Sequence, residues 1–361
     1  MESIAHLMAG LPEGYEEDCI ATGAIQRKRG VSCPADLMML GIFHLNNGCS
    51  LLEISEVARI TKLGKMSDVA VMKRFEKCGD WFSLINKKLI TNGTIAYQKP
   101  AWMEGKIVGG LDASDVTEKG RSGRLYRLHY FLDIFTMGRL EHLITTQKTG
   151  ESLCNFTLKP DYLVIADRAY SSAKGMLHCI NAGAEFILRM RVNSFTTRDA
   201  NGQKIDVAQA FSSLKEGECG DITAFATLAN GTSIPVRICA KRKDGAAIAK
   251  AHKKSERKRR NQQKPVPDGT KAFNEYIIVV TNLMDGVSAE EILEAYRYRW
   301  QIEIYFKRLK SIMNFGEMPK RRENSVIAWL NGKLMVALLI ENFIARVSFF
   351  PNGDEKQEHL A

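Results

Sequence analysis

The chain has 361 residues, of which 45% are hydrophobic and 25% are charged. These proportions exclude a largely disordered chain, and the length allows two or three structural units. The formal net charge of +10 is concentrated in residues 241–264, where eleven Lys or Arg residues stand against Asp244 and Glu256. Such a basic segment on a near-neutral chain is typical of polyphosphate binding, although a solvated linker would have the same composition.

The cysteines and the apolar segments narrow the class of protein further. The eight cysteines form neither a CxxC pair nor a Cys/His group at zinc spacing, so we expect reduced thiols. No signal peptide opens the chain, and the longest apolar run, residues 334–340, is far shorter than the roughly 20 residues that cross a bilayer. We therefore expect a soluble, cytoplasmic protein with no membrane partner.

The first hundred residues have the pattern of a helical bundle. Helices are predicted at 34–48, at 50–64 and at 67–90, and the second begins with a capping box of Ser50 and Glu53. A small bundle of this kind can be a helix-turn-helix DNA reader or a plain structural unit. The sequence leaves both interpretations open.

From about residue 106 the pattern changes to strands. Three strands joined by short turns predict an antiparallel meander, and a short helical connection, a buried strand, a helix and another buried strand follow it. This order predicts an α/β fold, a ribonuclease-H-like mixed sheet flanked by helices. The predicted elements are the strands 106–114, 125–133 and 139–146, the connection 151–160, the strand 161–167, the helix 171–183 and the strand 184–191.

A β-rich insertion is predicted to interrupt this pattern. It contains a hairpin over 217–243 with an Asn230-Gly231 turn, and the basic segment follows, partly helical up to Asn261. Strand character resumes at 275–283. The predicted organisation is an N-terminal helical DNA-binding region (1–103), a catalytic domain in two parts (104–191 and 273–348), the insertion between them (192–272) and a C-terminal tail (349–361).

The segment SAEEILEAYRYRW predicts a helix capped by Ser288 and Glu291. If this helix is continuous, its later turns place four side chains within about 60° of one another, at about 100° per residue. Ion pairs at i,i+4 spacing between Arg299, Glu303 and Lys307 would be the purely structural interpretation. The four side chains are Tyr296, Arg299, Glu303 and Lys310.

Two aspartates give Glu303 a chemical context. Asp112 is predicted at the end of the first strand and Asp167 at the end of the fourth, which are neighbours in a ribonuclease-H-like sheet. Three carboxylates without nearby Cys or His suit a hard cation, and two Mg²⁺ or Mn²⁺ ions can promote an in-line phosphoryl displacement. The alternatives stay open that Asp115 replaces Asp112 as a ligand and that Asp167 only caps the next helix.

Tyr296, Arg299, Glu303 and Lys310 match the spacing Y-(2)-R-(3)-E-(6)-K, and the segments GGLDASDV and VIADRAYSSAKG surround the two aspartates. In these features the chain resembles the DDE transposases of bacterial insertion sequences, in the family numbered four. The resemblance spans about 106–345 and more loosely the helical N-terminus.

The resemblance implies a bacterial, nucleoid-associated DNA transposase that cuts and joins DNA with two Mg²⁺ ions. Asp112, Asp167 and Glu303 would be its catalytic and metal-binding residues, while Tyr296, Arg299 and Lys310 would contact phosphates at the transposon ends. Its partners would be double-stranded DNA, as terminal inverted repeats and target, and a second copy in a homodimer. Two alternatives are a catalytically inactive DNA-binding protein derived from a transposase and another ribonuclease-H-like nuclease such as a junction resolvase.

Overall fold

The computed structural model describes residues 2–27, 29–89, 98–118, 126–192, 194–260, 263, 268–319 and 322–348. The expected C-terminal tail (349–361) lies outside these residues. So do the final residue of the predicted helix 67–90, the first residue of the predicted strand 125–133 and positions 261, 262 and 264 of the basic segment.

A mixed sheet forms the centre of the protein. Within the described residues its order is β3-β2-β1-β4-β5-β9-β8-β7-β6, and β10 pairs with the outer part of β1. The first three strands are antiparallel, whereas β1, β4 and β5 are parallel neighbours. The strands are β1 Ile107–Glu118, β2 Tyr126–Asp133, β3 Arg139–Thr146, β4 Tyr162–Ala166, β5 Glu185–Arg189, β6 Thr196–Arg198, β7 Cys219–Thr227, β8 Ser233–Arg242, β9 Tyr276–Thr281 and β10 Glu317–Met318.

Helices cover both faces of the sheet and form the N-terminal region, so the predicted ribonuclease-H-like mixed fold is confirmed. The expected short helical connection at 151–160 is a single 3₁₀ helix at Leu153–Asn155, and the rest of this segment has no helix. The helices are α1 Glu2–Met8, α2 Tyr15–Ala21, α3 Pro34–Asn47, α4 Leu51–Ile60, α5 Asp68–Phe75, α6 Gly79–Lys88, α7 Ala173–Asn181, α8 Val207–Ala210, α9 Gly245–Arg260, α10 Asp268–Asn274, α11 Ala289–Arg297, α12 Trp300–Ile312 and α13 Glu323–Ser348.

The insertion continues the main sheet instead of forming a separate one. Its predicted hairpin is β7 and β8, with Gly231 in the left-handed region at the turn (φ 85°). The second half of β8, from Arg237 to Arg242, pairs with β9, which in turn pairs with β5. The insertion therefore extends the main sheet, and α9, the helical part of the basic segment, follows directly from β8.

The N-terminal helices pack against the C-terminal helix α13. Asn86 of α6 donates a hydrogen bond to the Asn331 carbonyl, at 2.9 Å, and Ser325 donates to Glu76, at 2.7 Å. By length and composition α13 could cross a membrane, but 67% of its most apolar stretch is buried inside the protein. It is a core helix that joins the N-terminal helices to the rest of the protein.

Two glycines in β1 allow close packing on both of its faces. A Cβ atom at Gly109 would lie 1.9 Å from the Phe131 ring, so no larger residue fits there. On the other face, a Cβ at Gly110 would lie 3.0 Å from Ile134 and 3.7 Å from Ile302 of α12. The absence of side chains at these positions lets α12 lie directly over β1, beside Asp112.

Candidate active site

Asp112 and Asp167 lie side by side on neighbouring parallel strands. The pairing of β1 with β4 ends at Leu111 and Ala166, which are register partners, and each aspartate is the next residue. The prediction that the first strand ends at Asp112 is wrong, because β2 keeps β1 paired through Val116. The strand therefore passes through the site, and only its pairing with β4 stops there.

The carboxyl group of Asp112 is held in an unfavourable environment for a charge. Burial raises its pKa to about 6, and the neighbouring negative charge of Asp167 contributes to the increase. Its Oδ1 accepts a hydrogen bond from the Ala113 amide at 2.8 Å, while Asp167 Oδ1 accepts one from the Ala169 amide at 2.7 Å. Two adjacent carboxylates with this little compensation favour a bound cation.

The helix that carries Glu303 is not continuous, contrary to the prediction. α11 ends at Arg297 and α12 begins at Trp300, and the amides of Tyr298 and Arg299 bond three residues back, to Ala295 and Tyr296. This 3₁₀ turn is tighter than an α-helical turn, so the single 60° arc of the sequence analysis does not hold across it. Arg299 caps the start of α12, one turn before Glu303.

Arg299 connects the two sides of the site. Its Nη2 donates to Glu303 Oε1 in a short ion pair, and its Nη1 lies 3.9 Å from Asp112 Oδ2. The Arg299 side chain is only 16% exposed, so this guanidinium is withdrawn from solvent. Asp112 and Glu303 thus lie on either side of the Arg299 guanidinium, and Asp167 lies next to Asp112.

Tyr296 and Lys310 have different positions relative to this group. The Tyr296 ring lies between two guanidinium groups, 5.9 Å from that of Arg299 and 5.8 Å from that of Arg189. Lys310 is exposed near the end of α12, about 10 Å along the helix from Glu303. It lines a separate groove with Asn314 and Lys333. The structure brings Tyr296, Arg299 and Glu303 together, and Lys310 lies about two turns farther along the same face of α12 as Glu303.

Comparison with known proteins identifies the family. Residues 146–339, more than half of the chain, match the model of the transposase DDE domain. The chain belongs to this family. The match includes Asp167 and Glu303, whereas Asp112 precedes it.

The relatives named as transposases extend the similarity to nearly the whole chain. The transposase for insertion sequence element IS421 of Escherichia coli is 27% identical over 98% of this chain and 97% of its own length. The protein described as transposase InsL for element IS186A of E. coli K12 has the same identity and coverage. The transposase for element IS231F of Bacillus thuringiensis is 25% identical over 53% of this chain and 43% of its own length. The predicted resemblance is confirmed, and this transposase is an enzyme of a family that acts on DNA.

Sequence reasoning placed Lys241 and Lys243 in the basic segment, but it missed Arg189 and Arg168 and the grouping of these cations beside the carboxylates. Burial and the nearby charge of Arg168 lower the pKa of Arg189 to about 10, and burial, Arg189 and Arg168 lower that of Lys243 to about 8. Arg189 also lines a groove of about 770 Å³ with Lys241 and Arg299. Cations that depress one another's pKa values form a place for an anion. Strand order, which brings β5, β9 and β8 together, assembles this group, and the sequence alone does not give that order.

Sequence reasoning also missed Glu151, an acidic residue near the site. The charge of Glu151 acts on Asp112, and its Oε1 lies 3.3 Å from Nη1 of Arg127. Arg127 Nε in turn donates to Asp115 Oδ1 at 2.8 Å. The only sequence signal was the acid itself, in the loop just before the 3₁₀ turn.

The donor set of the transposase suits a divalent ion in part. Three carboxylates are the ligands that Mg²⁺ and Mn²⁺ prefer, and the pair Asp112 and Asp167 lacks a full counter-charge. However, among the described residues no three His, Cys, Asp or Glu side chains are placed to hold one ion. Arg299 engages Glu303, the third carboxylate. Glu303 would have to leave this ion pair to join Asp112 and Asp167 around one ion.

Proposed function

We propose that this transposase binds the terminal inverted repeats of its element and catalyses metal-dependent cleavage and strand transfer. Asp112, Asp167 and Glu303 would hold two Mg²⁺ or Mn²⁺ ions. Such ions activate an attacking oxygen and stabilise the departing one. Water would cleave one strand at the element's end and leave a 3′-hydroxyl, which would then attack a phosphodiester of the target.

One observation carries this proposal. Asp112 and Asp167 follow register partners on β1 and β4, and α12 lies over them with Glu303 on the far side of the Arg299 guanidinium. Withdrawing the Asp112 carboxyl from solvent next to a second carboxyl costs free energy in folding, and a metal site is a common reason for such a cost. The family model supports the same chemistry.

The basic groove suits the DNA backbone. Arg189, Lys241 and Arg299 line it, and its edge reaches the carboxylates through Arg299 and Tyr296. Guanidinium groups bind phosphates as a bidentate fork, so we propose that Arg299 exchanges its partner Glu303 for a phosphate next to the scissile bond. Lys310, about two turns along α12 from Glu303, would contact a phosphate farther from the cleaved bond.

The direct test is cleavage of a duplex that carries the element's own terminal repeat. Wild-type protein with Mg²⁺ should nick this DNA, whereas Asp112→Asn, Asp167→Asn and Glu303→Gln should bind it and leave it intact. Wild-type protein that never nicks its own ends would contradict the catalytic part of the proposal.

A non-catalytic DNA-binding protein is the second candidate, because no three-ligand group is formed among the described residues. This protein would bind terminal repeats as tightly as the enzyme. It would have no Mg²⁺-dependent nicking for Asp112→Asn to remove. The same cleavage experiment therefore separates the two functions.

The basic helix α9 is proposed to add sequence-independent affinity. Each phosphate contact contributes a slope of about −0.9 to the logarithm of affinity against the logarithm of salt concentration. Changing Arg257, Arg259 and Arg260 to Gln should therefore reduce the slope by up to about 2.7, with equal loss on all sequences. An unchanged slope would favour a solvated segment. A matched control changes three exposed lysines elsewhere, Lys148, Lys159 and Lys215, to Gln.

We further propose a homodimer on paired DNA ends and a cytoplasmic, nucleoid-associated location. Both follow from the family resemblance and from the DNA that the protein would process. Measuring the mass of the complex with terminal-repeat DNA by light scattering tests the dimer, since one protein copy per pair of ends would contradict it.

A further inference from the structure

A buried tyrosine hydroxyl lies beside the two aspartates without a partner. Tyr170 is fully buried, and its Oη is among the side-chain atoms of the described residues that make no hydrogen bond. Its position is fixed from β4, because its amide donates to the Asp167 carbonyl at 3.3 Å and its carbonyl accepts from Ser172 at 2.9 Å. A buried, unsatisfied hydroxyl is costly, so it calls for a reason.

The surroundings of this hydroxyl are acidic. The charges of Asp112, Glu151 and Asp167 all act on Tyr170, opposed by that of Arg127. A phenol is protonated at neutral pH, so this hydroxyl can donate a hydrogen bond. The Tyr170 hydroxyl does not bond these carboxylates directly. A water molecule between them would have several polar partners.

Two further acidic side chains of this region, unlike the two aspartates, have a cationic partner. Asp115 and Glu151 share the Arg127 guanidinium, at 2.8 and 3.3 Å. Their charges are therefore compensated within the fold. The acidic groups near Tyr170 that lack such a close ion pair are Asp112 and Asp167, the proposed metal ligands.

We propose that Tyr170 is a positioning residue whose hydroxyl donates a hydrogen bond to a water molecule shared with Asp112 and Asp167, and so orients these carboxylates toward the metal. This inference rests on the proposed function. Partners that orient ligating carboxylates typically change metal affinity by ten- to a hundredfold. Tyr170 acts through the aspartates and is not itself a ligand.

The test is Mn²⁺ binding to full-length protein without DNA, followed by electron paramagnetic resonance, together with thermal unfolding. Tyr170→Phe keeps the ring and should weaken Mn²⁺ binding about tenfold. Its unfolding temperature without metal should stay close to that of wild type, because the proposed partner of the hydroxyl is a water molecule and not a group of the fold. The matched control is Tyr162→Phe, at the other end of β4, which should leave Mn²⁺ affinity unchanged.

Three results would overturn the inference. In the first, Tyr170→Phe binds Mn²⁺ as tightly as wild type while Asp112→Asn does not bind it. This result would reject the role of Tyr170 and leave the proposed function standing. A lower unfolding temperature in Tyr170→Phe would mean that the hydroxyl already has a structural partner. If wild-type protein shows no Asp112-dependent Mn²⁺ binding, the inference and the metal chemistry of the proposed function fail together.

Discussion

The two faces of β1 each carry an aspartate, and their surroundings differ. On one face Asp115 receives a 2.8 Å hydrogen bond from Arg127, which Glu151 also contacts. On the other face Asp112 lies 3.9 Å from its nearest cationic atom, on Arg299, and next to Asp167. Three residues along a strand reverse the side-chain direction, so one aspartate faces α12 and the other the opposite layer.

The difference separates a structural carboxylate from a functional one. Asp115 has a well-formed ion pair that explains its presence without a ligand. Asp112 has a raised pKa and a partner too distant for a good hydrogen bond. The structure therefore argues against the alternative that Asp115 replaces Asp112 in the proposed metal site.

The largest expected effect separates the two aspartates in catalysis. Asp112→Asn should reduce Mg²⁺-dependent nicking of terminal-repeat DNA by about 10³-fold or more, since a lost ligand removes metal-based stabilisation of charge. Asp115→Asn should retain nicking within about tenfold. Single-turnover cleavage rates check this, and equal losses in the two variants would break the comparison.

A second prediction concerns the free energy of unfolding, on which Asp115→Asn should have the larger effect of the two variants. Asp115→Asn should lower the free energy of unfolding by about 2 kcal/mol, because Arg127 is largely buried and loses its better partner. Asp112→Asn should not destabilise the fold, since it removes an unfavourable buried charge. Urea unfolding at pH 7.5 measures both, and a less stable Asp112→Asn variant would contradict the assignment.

Glu341 on α13 tests whether a raised pKa alone marks a catalytic group. Burial raises its pKa to about 7, and a hydrogen bond with Tyr305 opposes the increase. Because the folded-state pKa exceeds the unfolded one, the free energy of unfolding should fall as pH rises from about 4.5 to about 7. Glu341→Gln should remove this loss, with a gain of about 2 kcal/mol at pH 8 and none near pH 4.

Unfolding titrations from pH 4 to pH 8 measure this gain, with the exposed Glu294→Gln as control. A gain that is independent of pH would show that Glu341 is not the titrating group. Nicking by Glu341→Gln should stay within a few-fold of wild type at pH 8. If it fell as far as in Asp112→Asn, the distinction drawn between the carboxylates would not hold.

The smallest expected effect concerns Arg299 as a competitor of the metal. Removing its guanidinium frees Asp112 and Glu303, so Arg299→Gln should bind Mn²⁺ about fivefold more tightly without DNA, a change of about 1 kcal/mol. Terminal-repeat DNA should bind more weakly. Calorimetry compares the Mn²⁺ affinity of Arg299→Gln with that of a control, Arg297→Gln, whose exposed side chain pairs with Glu294. Unchanged or weaker Mn²⁺ binding in Arg299→Gln would contradict the competition.

Much of the fold followed from local patterns. The buried runs before Asp112 and Asp167 predicted adjacent strands, and the capping boxes of Ser50 and Ser288 both form. These features depend on residues that are close in the chain, which is why the sequence predicts them.

Other features depend on tertiary packing. No Gly or Pro marks the break at Tyr298 and Arg299, but α11 packs over β5, β9 and β8 while α12 packs over β1. The chain must change direction between these two parts of the core. Similarly, no local pattern places Arg189 beside Lys243, because the pairing of β8 with β9 decides it.

The central claim is that Asp112, Asp167 and Glu303 share divalent ions when DNA is bound. Anomalous diffraction at the manganese edge, from crystals of the protein with its terminal-repeat duplex and Mn²⁺, tests it most directly. We predict Mn²⁺ peaks about 2.1 to 2.3 Å from oxygen atoms of all three carboxylates, with Arg299 on a phosphate. An intact Arg299–Glu303 ion pair with no Mn²⁺ near Asp112 and Asp167 would contradict it.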